Sequence, residues 1–223
     1  MSLRYVTAIR APRIGLALLF LMLVPVVPGG QAATTQQIYQ FKVLLDGDEI
    51  GTQRFVVASD KDRTRIEINA SFDVKILFFT AYSYRHSNRE IWEGRCLREI
   101  NATTNDNGDS FFVRGAYTGG RLELQTHAGK QSVDGCVRTF AYWNREWLQS
   151  PRLLNSQTGD IQDVQVRTVG DEMFPVRGIP TLTEHIRIIS NVFTIDLWYD
   201  KNQEWVGLLS TTKNGGILKY QLT

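Results

Sequence analysis

Residues 39–57 read YQFKVLLDGDEIGTQRFVV, and this stretch decides the fold class. Apolar and polar side chains alternate from Tyr39 to Val43, pause at the turn sequence Asp46-Gly47-Asp48, and alternate again from Ile50 to Val57. A period of two residues is typical of a strand with one buried face, and a short glycine-containing link between two such runs is typical of a hairpin. The stretch therefore predicts two neighbouring antiparallel strands.

The same pattern continues through most of the chain. Thr64 to Val74 alternates again, and a strand over Tyr82 to Trp92 would place one set of side chains on a single face: Tyr82, Tyr84, His86, Asn88 and Glu90. Turn sequences recur about every 8–12 residues, as in antiparallel sandwiches and barrels rather than in βαβ units. We therefore predict an all-β fold, an antiparallel meander that forms a curved sheet, half-barrel or barrel.

One segment, near residues 139–154, departs from the alternating pattern. Its aromatic and leucine side chains are spaced by three to five residues, and Pro151 interrupts the segment near its end. Such spacing suits either a short helix with an apolar face or an irregular segment that plugs one end of a barrel. Because neither a linker nor a shift in composition divides the chain, residues 33–223 are expected to form a single β-barrel-like domain.

The first 32 residues have the features of a secretory signal peptide. Arg4, Arg10 and Arg13 precede the apolar run Ile14–Val27, and small residues follow it, with cleavage expected between Ala32 and Ala33 or one residue later. The alternative is an uncleaved anchor, but 14 helical residues span only about 21 Å of a hydrocarbon core roughly 30 Å thick. After cleavage the protein would have no stable membrane anchor. It would be periplasmic or secreted.

The composition is that of an ordinary globular protein, with 43% hydrophobic and 22% charged residues. The formal charge of the whole chain is +2. Residues 1–32 carry three arginines and no acidic residue, so cleavage would change the net charge to −1. This balance provides no electrostatic attraction to nucleic acid, which is not expected as a partner.

Four motifs resemble those of a family of exported proteobacterial proteins described as a domain of unknown function. The motifs are the opening hairpin at 41–52, the segment Thr139-Phe140-Ala141-Tyr142-Trp143-Asn144, residues 153–159, and the closing Leu197-Trp198-Tyr199-Asp200. The resemblance implies a curved antiparallel sheet or half-barrel in the envelope, with no assigned activity. The architecture is more loosely similar to the half-barrels of lipoprotein carriers.

The two cysteines, Cys96 and Cys136, both lie in the exported portion. In an oxidising compartment two such thiols are expected to form a structural disulfide, and the alternative is a redox-active or nucleophilic cysteine. A disulfide would close a loop of about 40 residues, and on the chain-entropy model it would stabilise the folded state by roughly 4 kcal/mol.

Few residues suggest catalysis or metal binding. His86 and Glu90 would share one face of a strand, so a general base paired with a carboxylate is one interpretation, and a hydrogen-bonded strand histidine is the other. The remaining histidines, His127 and His185, are too far apart in the sequence for a zinc motif. The acidic pair Asp171 and Glu172 is expected in a turn. No catalytic residue, metal or cofactor is predicted.

Binding residues are expected in the least regular part of the chain, because loops held by a rigid sheet often bind ligands. The segments Tyr142-Trp143-Asn144 and Asn155-Ser156-Gln157-Thr158-Gly159 combine aromatic rings with amides and hydroxyls, which suit a sugar or the polar end of a lipid. The predicted ligand-binding residues are Trp143, Asn144, Asn155, Gln157 and Thr158. The alternative is that the aromatic side chains fill the barrel core while the polar ones bond to local backbone.

Three classes of function follow from these observations. The first is a non-catalytic binding module that holds a lipid-like or sugar-like small ligand on its concave face, with the apolar run at 76–79 near the mouth. The second is a structural protein that contacts another envelope protein through a sheet edge or loop. The third is a hydrolase that uses His86 and Glu90.

Overall fold

The computed structural model describes residues 35–76 and 79–223, and for Ile76 only the backbone. The predicted signal peptide, residues 1–32, therefore lies outside the described residues, as do Leu77 and Phe78 of the apolar run. In the described ranges, no helix is both long and apolar enough to cross a membrane.

Strands make up most of the described chain. Eight precede the irregular segment: β1 (Thr35–Leu45), β2 (Asp48–Asp60), β3 (Arg63–Ile76), β4 (Phe79–Glu93), β5 (Cys96–Asp106), β6 (Asp109–Thr118), β7 (Arg121–Thr126) and β8 (Gly129–Asp134). Seven more lie within or after it: β9 (Arg152–Leu154), β10 (Ile161–Asp163), β11 (Gln165–Val176), β12 (Ile179–Ile189), β13 (Thr194–Tyr199), β14 (Trp205–Thr211) and β15 (Ile217–Leu222).

Thirteen of these strands form one antiparallel sheet in the order β11-β12-β13-β14-β15-β1-β2-β3-β4-β5-β6-β7-β8. Neighbours in the sheet are neighbours in sequence except where β15 pairs with β1, with Phe41 opposite Leu222. The sheet is not closed, because β8 and β11 remain at its two edges. The predicted antiparallel meander is confirmed.

The alternation seen in the sequence sets the buried face of the sheet. Tyr39, Phe41 and Val43 of β1 are buried, and Phe55 pairs with Tyr39 from the same side of β2. A one-residue shift of register would turn these side chains to solvent, so the apolar pattern fixes the pairing. We call the side that carries them the inner face.

The segment from 135 to 164 connects the two ends of the sheet and lies against the inner face; we call it the plug. It contains a 3-10 helix (Arg145–Leu148) and the short β9–β10 hairpin, so the predicted irregular segment near 139–154 is confirmed. Leu148, Leu153 and Leu154 of the plug are fully buried. Burial of such side chains is worth about 1.5–3 kcal/mol each.

Contacts of the plug with distant strands show that the sheet curves around it. Trp147 stacks on Trp92 of β4 with ring centroids 4.7 Å apart. Tyr199 of β13 donates a hydrogen bond from its hydroxyl to the carbonyl oxygen of Tyr142 at 2.8 Å. Since β4 and β13 are six strands apart in the sheet, one segment reaches both only if the sheet bends, as large twisted sheets do.

A disulfide bond joins Cys96, at the start of β5, to Cys136, at the start of the plug. The expected disulfide is therefore present, and it links the first residues of the plug covalently to β5 of the sheet. Next to it, the amide of Leu97 donates to the carbonyl oxygen of Val137 at 2.9 Å.

The β11–β12 hairpin is longer than the sequence pattern indicated. Asp171 and Glu172, expected in a turn, lie inside β11, opposite Glu184 and Thr183. The chain turns instead at Arg177 and Gly178, both with positive φ. The strand continues through Pro175 because β11 is an edge strand, where a proline without an amide hydrogen is tolerated.

Candidate functional site

The inner face and the plug enclose a cavity of about 890 Å³. Its walls come from β1 to β5, from β13 and β15, and from two parts of the plug. Apolar side chains and four tyrosines make up more than half of its lining, and the apolar ones are Leu45, Ile50, Phe55, Ile68, Ala70, Phe72, Val74, Phe140, Phe193, Ile195 and Leu218. Such a concave, mainly apolar site with a few polar groups is typical of small-molecule binding.

A small residue at the centre of β3 helps to leave this space open. Ala70 lies between Gln53 of β2 and His86 of β4 in the register of the sheet, and all three line the cavity. Along β3 its inner-face neighbours, Ile68 and Phe72, are much larger. The methyl group of Ala70 therefore leaves a gap in an otherwise bulky row.

A chain of hydrogen bonds lies at one side of the cavity. Tyr82 donates from its hydroxyl to Oδ1 of Asp106 at 2.6 Å, and Gln157 donates from Nε2 to the other oxygen, Oδ2, at 3.2 Å. Tyr84 donates from its hydroxyl to Oε1 of Gln157 at 3.1 Å. The network joins the plug to β4 and β5, and it gives an apolar cavity one polar side.

His86 is a buried, uncharged member of the cavity wall. Its Nδ1 lies 2.8 Å from the Thr104 hydroxyl, and its ring stacks beside that of Tyr84 with centroids 6.3 Å apart. Burial lowers the pKa of His86 to about 4. The imidazole is therefore neutral at pH 7. It can donate one hydrogen bond and accept another without placing a charge in the cavity wall.

Glu90 lies on the same face as His86, as the alternation indicated, but the two residues have different partners. The Glu90 carboxylate accepts hydrogen bonds from Asn88 Nδ2, from Trp92 Nε1 and from the hydroxyl of Thr139 in the plug. Burial raises the pKa of Glu90, while these three donors act in the opposite direction. Glu90 thus anchors the plug, and His86 faces the cavity.

Two of the five residues predicted to bind ligand line the cavity, namely Asn155 and Gln157. Asn155 also accepts a hydrogen bond at Oδ1 from the amide of Gln157 at 2.8 Å, which fixes the turn that presents the glutamine. Gln157 is the better placed of the two, because its amide reaches both β4 and β5.

The other three have local partners and do not line the cavity. Trp143 packs edge-on against Trp92 with ring centroids 5.7 Å apart. Asn144 caps the 3-10 helix, accepting hydrogen bonds from the amides of Glu146 and Trp147. Thr158 donates to the side chain of Asp160 at 2.7 Å.

The cavity also contains residues that sequence reasoning missed. They are Tyr220 of β15, Asp106 at the end of β5 and Phe193 before β13, which lie far apart in the chain. Because β15 pairs with β1 in the sheet, Tyr220 lies close to β2 and β3. The alternation of each strand could have shown which side chains face inward. It could not have shown which inward-facing side chains border an empty space.

The outer face carries a second depression, of about 760 Å³, and its character is different. It is lined mainly by polar side chains such as Arg54, Ser71, Arg85 and Asn105. Arg85 is already paired with Asp73 at 2.8 Å. Within 35–76 and 79–223, no three His, Cys, Asp or Glu side chains converge as a metal site. The apolar inner cavity is therefore the candidate functional site.

Fold and site together define a β-barrel-like protein whose open antiparallel sheet encloses a plug and an apolar cavity. Sequence comparison identifies the family: residues 41–223 match the Domain of unknown function (DUF6134), and the chain belongs to this family. No match was found among curated proteins.

A solved structure supports the fold independently. It is described as the crystal structure of a beta-barrel-like protein of Domain of Unknown Function DUF1849 from Brucella abortus. The similarity has a TM-score of 0.56 at 9% sequence identity and covers 87% of this chain and 97% of that chain. At this identity the likeness concerns the fold alone.

Proposed function

We propose that this protein is a non-catalytic binding protein of the cell envelope that holds a small apolar or amphipathic molecule in the inner cavity. The observation that carries the proposal is the cavity itself, about 890 Å³ with apolar walls and a polar network on one side. Pockets for small molecules commonly have volumes of roughly 300–1,000 Å³. Gln157 and Asn155 would contact the polar part of the ligand.

The envelope location is supported by two separate features. Residues 1–32 have the order of a secretory signal peptide, and the structure contains a disulfide between Cys96 and Cys136. Disulfides persist mainly in oxidising compartments. The test is the mass of the protein recovered from the periplasm of a bacterial host, which should correspond to a chain that begins at Ala33. Recovery of the full-length chain in the cytoplasm would contradict this location.

Binding can be tested with an uncharged fluorescent probe, N-phenylnaphthylamine, whose emission rises in apolar surroundings. We expect saturable binding by the wild-type protein and a loss of at least tenfold in affinity for Ala70→Phe, since the larger ring would occupy the cavity. The matched control is Ala116→Phe, because Ala116 is exposed on β6. Equal probe binding by both variants would contradict a site in this cavity.

A second candidate function is contact with another envelope protein, and one observation favours it. Met173 and Leu182 lie opposite each other on the β11–β12 hairpin and are 60% and 59% exposed. Paired apolar side chains at an edge strand are typical of interaction sites. Crosslinking in the envelope tests this candidate: Met173→Asp should abolish a specific crosslinked species that Val192→Asp leaves intact.

A further inference from the structure

Four tyrosines line the cavity, and their hydroxyls differ in what they contact. Tyr82 and Tyr84 donate to Asp106 and Gln157, so their hydrogens are engaged within the protein. Within the described residues, the hydroxyls of Tyr142 and Tyr220 line the cavity, and no side-chain hydrogen bond contributes to the raised pKa of either residue. These two hydroxyls are therefore available to donate to a molecule in the cavity.

Tyr142 of the plug and Tyr220 of β15 line the same part of the cavity. The Tyr142 ring packs on Trp205 with centroids 5.4 Å apart, and the Tyr220 ring lies 6.1 Å from that of Phe41, which packs on the same tryptophan. Burial is the largest cause of the raised pKa of Tyr220, and the nearby hydroxyls of Tyr142 and Tyr82 raise this pKa further. Burial likewise raises the pKa of Tyr142. Both side chains are consequently neutral donors at physiological pH.

Charged groups are confined to the edges of the cavity. Asp46 and Lys213 are exposed on the β1–β2 and β14–β15 turns, and Asp106 already accepts hydrogen bonds from Tyr82 and Gln157. An anionic group of the ligand that reached Tyr142 and Tyr220 would have no cation beside it, and a cationic group could pair only with Asp106, whose two oxygens are already bonded to Tyr82 and Gln157. Burying an unpaired charge is far more costly than burying a neutral polar group.

One wall of the cavity contains a row of stacked aromatic rings. Phe72 and Tyr84 are cross-strand neighbours whose rings stack with centroids 5.3 Å apart and planes inclined by 12°. The ring of His86, two residues along β4, is inclined by only 22° to that of Tyr84. Three nearly parallel rings stacked in a row form an aromatic wall, and an apolar ring system can pack against its exposed edges.

We infer that the ligand is a neutral, ring-containing apolar molecule with a carbonyl-type hydrogen-bond acceptor, such as a ketone, quinone or ester, which Tyr142 and Tyr220 bind through their hydroxyls. This inference rests on the proposed function of the cavity. The apolar ring packs on Phe72, Tyr84 and His86, and the carbonyl oxygen accepts from the two tyrosines. A carboxylate in the same place would be buried without a cation, and an ammonium group would have to break the hydrogen bonds of Asp106 to gain a partner.

The test compares four naphthalenes of similar size as competitors of N-phenylnaphthylamine: acetylnaphthalene, ethylnaphthalene, naphthoate and naphthylmethylammonium. The ketone should displace the probe at roughly fivefold to tenfold lower concentration than the hydrocarbon, which is the worth of about one net hydrogen bond. The two ions should be the weakest competitors. A stronger effect of either ion than of the ketone would overturn the inference.

Variants of the two tyrosines test whether their hydroxyls cause the preference for the ketone over the hydrocarbon. Tyr142→Phe and Tyr220→Phe, singly and together, should reduce the ketone preference until the ketone and the hydrocarbon compete equally, with the affinity for ethylnaphthalene unchanged. Tyr117→Phe is the matched control, because Tyr117 packs under Arg98 and does not line the cavity. A ketone preference that survives in the double variant would overturn the role of these tyrosines.

Failure of this inference can be told from failure of the proposed function. If all four naphthalenes displace the probe without a ketone preference, the cavity binds ligands but the acceptor is not recognised by the tyrosines. If the probe does not bind, or binds equally to Ala70→Phe, the proposed function and this inference both fail. The single tyrosine variants keep the test valid if the double variant does not fold, since each should show about half of the lost preference.

Discussion

Thr139 donates a hydrogen bond from its hydroxyl to Oε2 of Glu90 at 3.2 Å, and this contact joins the plug to the inner face of β4. Both residues are buried, with 3% and 2% of their surfaces exposed. A buried carboxylate is tolerated only when donors surround it, and Thr139 provides one donor from outside the sheet. The plug that shapes the cavity is thereby held by a polar contact as well as by packing.

Removing that hydroxyl should loosen the plug. Thr139→Val keeps the shape of the side chain but leaves the Glu90 carboxylate with one donor fewer, so the free energy of unfolding should fall by about 1.5–3 kcal/mol. Urea denaturation measures the change. Thr158→Val is the matched control within the plug, because the hydrogen bond from Thr158 to Asp160 is exposed. Equal losses in the two variants would contradict an anchoring role for the buried pair.

The disulfide should contribute to stability through the length of the loop that it closes. Cys96 and Cys136 are 40 residues apart, and a loop of this size is worth roughly 4 kcal/mol in the chain-entropy model. Urea denaturation with and without a reductant should show about this difference for the wild-type protein. A Cys96→Ser/Cys136→Ser variant should match the reduced protein and not respond to the reductant. A wild-type midpoint that the reductant leaves unchanged would contradict the prediction.

His86 should make the folded state sensitive to acid. Its pKa falls from 6.5 to about 4 on folding, so between these values the unfolded chain binds a proton that the folded protein does not. Stability from this group is complete above pH 6.5 and is lost as the pH falls towards 4, by up to about 3 kcal/mol. Glu90, whose pKa is raised, acts in the opposite direction and is present in every variant compared.

The measurement is urea denaturation at pH 7 and at pH 4.5 for the wild type and for His86→Gln. The wild type should lose more stability between the two pH values than His86→Gln does. His127→Gln is the control, because His127 is exposed. If His86→Gln and the wild type lose the same amount, the buried neutral state of His86 is wrong.

Two residues predicted together from sequence should respond differently to substitution. Trp143 packs among Trp92 and Trp147 in the core of the plug, so Trp143→Ala should destabilise the protein by about 3–5 kcal/mol. Gln157 faces the cavity, so Gln157→Leu should weaken probe competition by amphipathic ligands. Because its bonds to Asp106 and Tyr84 are only part-buried, the free energy of unfolding should fall by about 1 kcal/mol, less than for Trp143→Ala. Thermal unfolding and probe binding on both variants separate the roles, and a reversed pattern would contradict them.

Much of the fold could be predicted because its signals are local. The alternation of Tyr82, Tyr84, His86, Asn88 and Glu90 requires no knowledge of the rest of the chain, and all five side chains face inward. The pairing of β15 with β1 could not be predicted, because it depends on contacts between the two ends of the chain. The length of β11 was missed because Pro175 and the acidic pair before it resemble a turn.

The site could be predicted only in part, for a similar reason. Gln157 stood out as a polar residue in an irregular segment, and the structure places it at the cavity. Trp143 stood out equally, but the rings of Trp92 and Trp147 bury it against β4. A tryptophan in a loop has the same appearance in sequence whether it faces a ligand or fills a core, and only the curvature of the sheet decides between them.

The central claim is that the inner cavity holds a small molecule, and native mass spectrometry of the exported protein tests it most directly. Spectra of the wild type, Ala70→Phe and Ala116→Phe would be compared before and after denaturation. We predict an additional mass on the wild type and on Ala116→Phe that is lost on denaturation and is absent from Ala70→Phe. A wild-type protein that carries no additional mass, even after incubation with N-phenylnaphthylamine, would contradict the claim.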